Sequence, residues 1–348
     1  MSHSDSPPDD SQQSAASEAA LPPVQPPSAG FILQLFIIPG MIVFVIIMVW
    51  LAFHWLAHMG SNPAEMIREM RQNKANSWQL AYNFSEELRQ NEASREDPEL
   101  ARELANFLDA LLDESLPAAT GSLTGGDPRS QEVIRRGFLC KALGEFTVPE
   151  VVLPVLIRAG STNADDDELR VRLAALEAIA LLLENTRHRQ LPENKQLLPL
   201  LLASSENKDH KIATRAAVAL STVENDRATN RLVEMLEEPQ HADVHYNVAT
   251  GLARLGHLAS LEVLLEMLDP NEQRALVDEP SEDARNLKQT RIYLNALRAS
   301  RLLAKQNQEA DLAPLERGVK RLLAEQDNPQ VRIEGNVTLR ELQNRNAP

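Results

Sequence analysis

The chain has one cysteine in 348 residues, aromatic side chains at only 4%, and no lysine or arginine before Arg68. Each shortage excludes something. A lone cysteine, Cys140, can close no disulfide within the chain and anchor no multi-cysteine metal site. It sits in an apolar helical pattern, GFLCKALG, and reads as a small buried hydrophobe rather than a reactive thiol. No GxxxxGK[ST], GxSxG or HExxH pattern is present, so there is no recognisable catalytic apparatus and no phosphate cradle. Basic side chains number 35 against 50 acidic ones, a net charge of -15. Nucleic-acid surfaces need clustered Lys and Arg, so no nucleic-acid partner is expected.

What is present is a charge-free run from Ala29 to Ala64, with a dense apolar core from Phe31 to Leu56. At about 1.5 Å of rise per residue that core reaches about 39 Å, enough to cross about 30 Å of hydrocarbon with some tilt. A cleaved signal peptide would need a positive leading region, a shorter core and a small-residue cleavage site. None of these is found, and residues 31–58 are expected to be one uncleaved transmembrane helix. Trp50 and Trp55 suit the interfacial aromatic belt. Pro39-Gly40 is tolerable as a kink inside the span. His54 and His58, four apart, could suggest ligation across a dimer, but without further ligands they read as interfacial residues.

The flanks differ in charge and composition. Residues 1–30 are rich in Ser, Pro, Ala, Asp and Gln, with Asp5, Asp9, Asp10 and Glu18 and nothing to bury, so this tail is expected to be disordered. Arg68, Arg71 and Lys74 closely follow the span. The positive-inside rule then places the tail outside and the rest in the cytoplasm, as a single-pass protein of the cytoplasmic membrane. Removing the four tail acids leaves 46 acidic against 35 basic side chains for the remainder, a net charge of -11.

After the span, residues 62–115 read as a helical juxtamembrane segment. Asn62-Pro63-Ala64-Glu65 opens a helix with a cap and a proline at its first position. In SWQLAYNFSEELRQ, residues Trp78, Ala81, Tyr82, Ser85 and Leu88 recur on one face, expected to be core rather than a peptide groove. Asp97-Pro98 starts another helix with a stripe of Leu100, Leu104, Phe107, Leu108, Leu111 and Leu112. Residues 116–127, within a stretch rich in Gly, Pro, Ser and Thr, read as a linker.

From 128 to 343 the sequence repeats at an irregular period of about 32–48 residues, the mark of a helical solenoid. Val171-Arg172 with Ala174, Ala175, Ala178 and Ile179 opens the clearest unit, followed by an apolar helix around Pro199. The same frame holds Arg136, Ala142, Leu143 and Gly144 with Pro154, then Ile212, Ala216, Ala219 and Leu220, then a unit from Val244. A less regular unit runs through RIYLNALRASRLLAK and LAPLERGVKRLLAEQ, and QVRIEGNVTLREL closes as a half-unit. Small residues on each first helix are expected to let the second pack close.

These paired-helix units resemble bacterial HEAT-type repeats, over about three fifths of the chain, and Trp78-Gln79-Leu80-Ala81-Tyr82 is similar to the leading helices of membrane-anchored HEAT-repeat proteins. The resemblance implies an all-α fold and a binding surface rather than a reaction. Ala213 and His245 stand where the repeat has arginine. Among HEAT-like enzymes, the resemblance to deoxyhypusine hydroxylase implies His-Glu pairs holding iron, yet no His here is followed by Glu. Phycobilin lyase relatives share the repeat but offer no short motif to place.

Few site candidates remain. His241 and His245 could present two imidazoles on one helical face, but Asp243 is better read as a helix N-cap with His241 in the loop before it. Acidic loops at Asp165, Asp166, Asp167 and Glu168, and at Glu272, Asp278, Glu279, Glu282 and Asp283, lack calcium-loop spacing. They read as solvated charge, with docking of a basic partner as the functional alternative. The expectation is a membrane-tethered scaffold with no catalytic, cofactor or metal residues, binding protein partners through its solenoid. The alternatives are an accessory subunit of a membrane enzyme or transporter and, further off, a repeat-fold lyase or hydroxylase.

Overall fold

A computed structural model describes residues 29–58, 63–72, 77–118, 127–161, 166–187, 195–238 and 241–344, and every regular element among them is helical. The chain forms two units, Met1–Gly60 and Ser61–Pro348. The expected disordered tail, apart from Ala29 and Gly30, and most of the expected linker lie outside the described residues, as do Asn62, Asp165 and the side chains of His54, Trp55, His58 and Asp166 to Glu168.

In the first unit, α1 (Ala29–His58) runs unbroken through Pro39. Its 21 residues from Leu33 to Phe53 are apolar enough to cross a membrane, and none of them is buried. At about 1.5 Å per residue they cover about 31 Å, the thickness of the hydrocarbon layer.

The second unit begins with α2 (Pro63–Gln72), α3 (Ser77–Gln90), a single turn α4 (Glu92–Arg95) and α5 (Pro98–Asp113). Asp97 caps α5 by accepting from the amides of Glu99 and Leu100, which satisfies donors that a helix start leaves open. The expected stripe of α5 is buried, except that Leu112 is only half-buried. The face expected on α3 is corrected. Its buried residues are Ser77, Ala81, Phe84, Ser85 and Leu88, with Phe84 fully enclosed, whereas Tyr82 is 49% exposed. Phe84 falls on the same stripe as Ala81 and Leu88, so it takes the central place, and Trp78 and Tyr82 are left on the flank.

The region expected to repeat follows as α6 (Pro128–Glu145), α7 (Pro149–Gly160), α8 (Asp166–Asn185), α9 (Leu197–Ser205), α10 (His210–Leu220), α11 (Asp226–Glu237), α12 (Ala242–Arg254), α13 (Leu261–Met267), α14 (Glu282–Gln306), α15 (Ala313–Glu325) and α16 (Pro329–Asn344). Two layers result. In the first, α3, α6, α8, α10, α12, α14 and α16 pack one against the next. In the second, α5 packs on α7, α7 on α9, α9 on α11 and α13 on α15. Each helix meets only near neighbours in chain order, which is how repeat proteins divide their stability.

Small residues act differently from the expectation. Their tight approaches are between units: a Cβ on Gly144 would lie 2.8 Å from the Ala178 Cα, one on Gly251 2.6 Å from the Ser221 Cβ, and one on Gly335 of α16 2.7 Å from the Leu323 Cδ2 of α15. The second helices α7, α9, α11 and α15 rest mainly on the first helix of the following unit, whereas α13 packs on both α12 and α14. Small side chains therefore set the spacing along the stack rather than within one hairpin.

Helices over 63–113 and those from Pro128 onward share one hydrophobic core, running from Met66 to Leu252. Arginines of α6 reinforce the joint: Arg135 donates to the Met70 carbonyl and Arg136 to the Glu114 carbonyl. A second core spans Ala242 to Leu342. Helix α12 serves both, giving Val244, Val248 and Leu252 to the first and Tyr246, Ala249 and Ala253 to the second.

Candidate functional site

On the first layer an open groove of about 470 Å³ runs across α10 and α12, with Leu173 of α8 on one side and Lys288, Arg291, Ile292 and Asn295 of α14 on the other. Helices α10 and α12 have 11 and 13 residues, against 20 and 25 in α8 and α14. The short helices carry the groove and the long ones flank it.

Its charges fall into two sets. Lys288, 8% exposed, sits 2.9 Å from the Asp243 carboxylate and 3.0 Å from that of Glu279. Burial works against its positive charge, but hydrogen bonds to those two carboxylates outweigh it and hold the ammonium above the ordinary lysine range. The other set faces outward. Lys211 of α10 and Arg291 of α14 make no ion pair among the described residues, and Arg215 has only a distant carboxylate, Glu177, at 3.8 Å. The Arg215 Nε is buried and has no hydrogen-bond partner. With four cations and two carboxylates in its lining, the groove carries a net charge of +2 in a chain of -15.

The histidines occupy one end. His241, not Asp243, is the N-cap of α12: its Nδ1 accepts from the Asp243 amide at 3.2 Å. Its Nε2 lies 3.1 Å from Asp278, so both ring nitrogens are used. His245 is held elsewhere, between the Leu236 carbonyl and the Arg274 guanidinium. The expected imidazole pair is therefore not assembled. The structure instead stacks His241 on His210, with ring centroids 4.0 Å apart, and brings both near Asp243. A metal there would have to displace the helix cap at His241 and compete with the Lys288 ammonium for Asp243, which leaves His210, whose Nδ1 is buried without a hydrogen-bond partner, as the one uncommitted ring of the three. The acidic insertion is partly consumed in the same way. Asp278 holds His241, Glu279 holds Lys288, and Glu282 and Asp283 lie in the first turn of α14, where the helix dipole favours them.

Two further surfaces stand out. On the first layer at α3 and α6, Trp78 stacks on Phe138 at 6.2 Å, Tyr82 meets the same ring edge-on at 5.9 Å, and the Lys141 ammonium lies 5.8 Å from its centroid. This is an aromatic platform rather than core. On the second layer a depression of about 880 Å³ lies between α5, α7 and α9, lined in part by Pro154 and Pro199. Arg158 there is tied to Asp109 and Asp113. Cys140 is fully buried, and burial pushes its thiol up to about 12.

The cationic groove was not visible in the sequence, because its residues come from four units whose register differs. One signal was present: Lys211, Arg215, Lys288 and Arg291 form two i, i+3/i+4 pairs on amphipathic helices of an acidic chain. No family model matches this chain, and no curated protein is similar to it at a significant level.

Proposed function

We propose that this chain is a membrane-tethered adaptor whose HEAT-like stack binds a protein partner on the outward side of its first helix layer. Helix α1 is the tether, and the stack lies in the cytoplasm with the amino-terminal tail on the other side of the membrane, as Arg68, Arg71 and Lys74 suggest. The observation that carries the reading is the pairing, on one layer of helices, of an aromatic platform at Trp78, Tyr82 and Phe138 with an open polar groove across α10 and α12. Stacked hairpins give such a layer length, and exposed aromatics with adaptable polar groups are what protein interfaces use. The role is recruitment, with no catalytic step.

The test is to crosslink native membranes, solubilise the full-length chain, and identify by mass spectrometry what co-purifies, in parallel with residues 61–348 alone. The reading predicts soluble partners retained by both forms. Membrane proteins captured only when α1 is present would contradict it and favour an accessory subunit of a membrane enzyme or transporter.

A further inference from the structure

We propose that the groove across α10 and α12 seats an acidic peptide segment of the partner, with Arg215, Arg291 and Lys211 as the groups that receive its carboxylates. The inference rests on the adaptor reading and names the chemistry of its ligand.

Three observations converge. First, the cations are unspent. Elsewhere in the stack, arginines tie helix to helix, as Arg89 does to Glu145, Arg254 to Glu184 and Arg301 to Glu334. Acidic side chains exceed basic ones by 15 in the chain, so carboxylates are available, yet Lys211 and Arg291 pair with none among the described residues. Second, the Arg215 Nε has no hydrogen-bond partner and its nearest carboxylate, Glu177, stands off at 3.8 Å, so the chain itself holds this guanidinium only loosely and leaves its forked donors for a ligand carboxylate. Third, Lys288 is already neutralised by Asp243 and Glu279, which fixes the floor and leaves the outward guanidiniums, with their forked donors, to make the new contacts.

Size sets the class of ligand. From α10 to α14 are two helix spacings of about 8–10 Å each, so about 16–20 Å in all. An extended chain covers that in about five or six residues. Asn247, Thr250 and Asn295 supply polar contacts for a backbone, and Leu173 and Ile292 lie at the two sides for an apolar residue. An acidic segment with one or two leucines matches that lining, and the net positive charge of the groove steers it against the field of an otherwise acidic protein.

The experiment uses residues 61–348, which form one compact unit, and measures fluorescence anisotropy with a labelled peptide Glu-Leu-Glu-Glu-Leu-Glu, its all-Gln counterpart, and a labelled oligouridine. The expected result is binding of the Glu peptide, no binding of the other two, and a loss of about tenfold both in the R215Q/R291Q variant and on raising salt from about 50 to about 300 mM. Both replaced side chains are partly or fully exposed, and an unchanged melting curve for the variant shows that the loss is local. Equal binding of the Gln peptide, binding of oligouridine as tight as that of the Glu peptide, or full binding by R215Q/R291Q would each overturn the proposal. If the co-purification finds soluble partners but the Glu peptide does not bind, the adaptor reading stands and this inference falls. If the peptide binds but no soluble partner is captured, the groove chemistry stands and the adaptor reading falls.

Discussion

Single residues decide how closely the layers approach. Gly144 has backbone of Ala178 where a Cβ would go, whereas at Gly137 the nearest atom, the Ala174 Cβ, is 3.7 Å away, an ordinary contact. The two glycines of one helix should respond in opposite directions to the same substitution. Gly144→Ala is expected to destabilise by about 1–3 kcal/mol through overpacking, and Gly137→Ala to stabilise by about 0.5–1 kcal/mol through helix propensity. Urea denaturation of residues 61–348 checks both, and equal effects would show that the α6–α8 spacing is not set at Gly144. Cys140 makes a second residue-scale case. Because burial favours the neutral thiol, it should resist a thiol reagent at pH 8 until denaturant opens the core. The same preference means that stability falls as pH rises past the ordinary thiol range, since the unfolded chain then gives up a proton that the folded chain keeps. Labelling of the native protein at the rate of a free thiol would contradict this.

At the scale of elements, the stack has two cores that meet on α12. Damage to one should stay largely within it, because neighbours carry most of the coupling in such folds. Leu297→Ala, in the second core and fully buried, is expected to cost about 2–5 kcal/mol. Hydrogen exchange should then show protection lost over α12 to α16 and kept in α6 and α8; uniform loss would mean a single cooperative block. Much of this level was legible in the sequence. Asp97-Pro98 and the apolar stripe of α5 announced that helix because caps and periodicity are local. The face of α3 was misjudged because Trp78 and Tyr82 are larger signals than Phe84 in a list of aromatics, while burial depends on which side the next helix occupies. The cap at His241 was missed because histidine is a rare cap and Asp243 two residues later is a common one. The groove itself depends on helix lengths and on register between units, neither of which a single repeat pattern records.

For the whole molecule, the proposed adaptor joins a membrane anchor to a binding layer, and the side of the membrane matters. The inertness expected of Cys140 makes a sidedness test direct. A full-length chain carrying S11C should react with a membrane-impermeant maleimide added outside spheroplasts, and one carrying Q343C only after permeabilisation; the reverse pattern would place the stack outside. The most direct test of the central claim is site-specific photocrosslinking in native membranes, with p-benzoylphenylalanine at Tyr82 and Asn295 on the first layer and, as controls, at Asp226 and Glu262 on the second. One discrete protein adduct is expected from both first-layer positions and none from α11 or α13. Adducts confined to the second layer, or none from Tyr82 and Asn295, would contradict that claim.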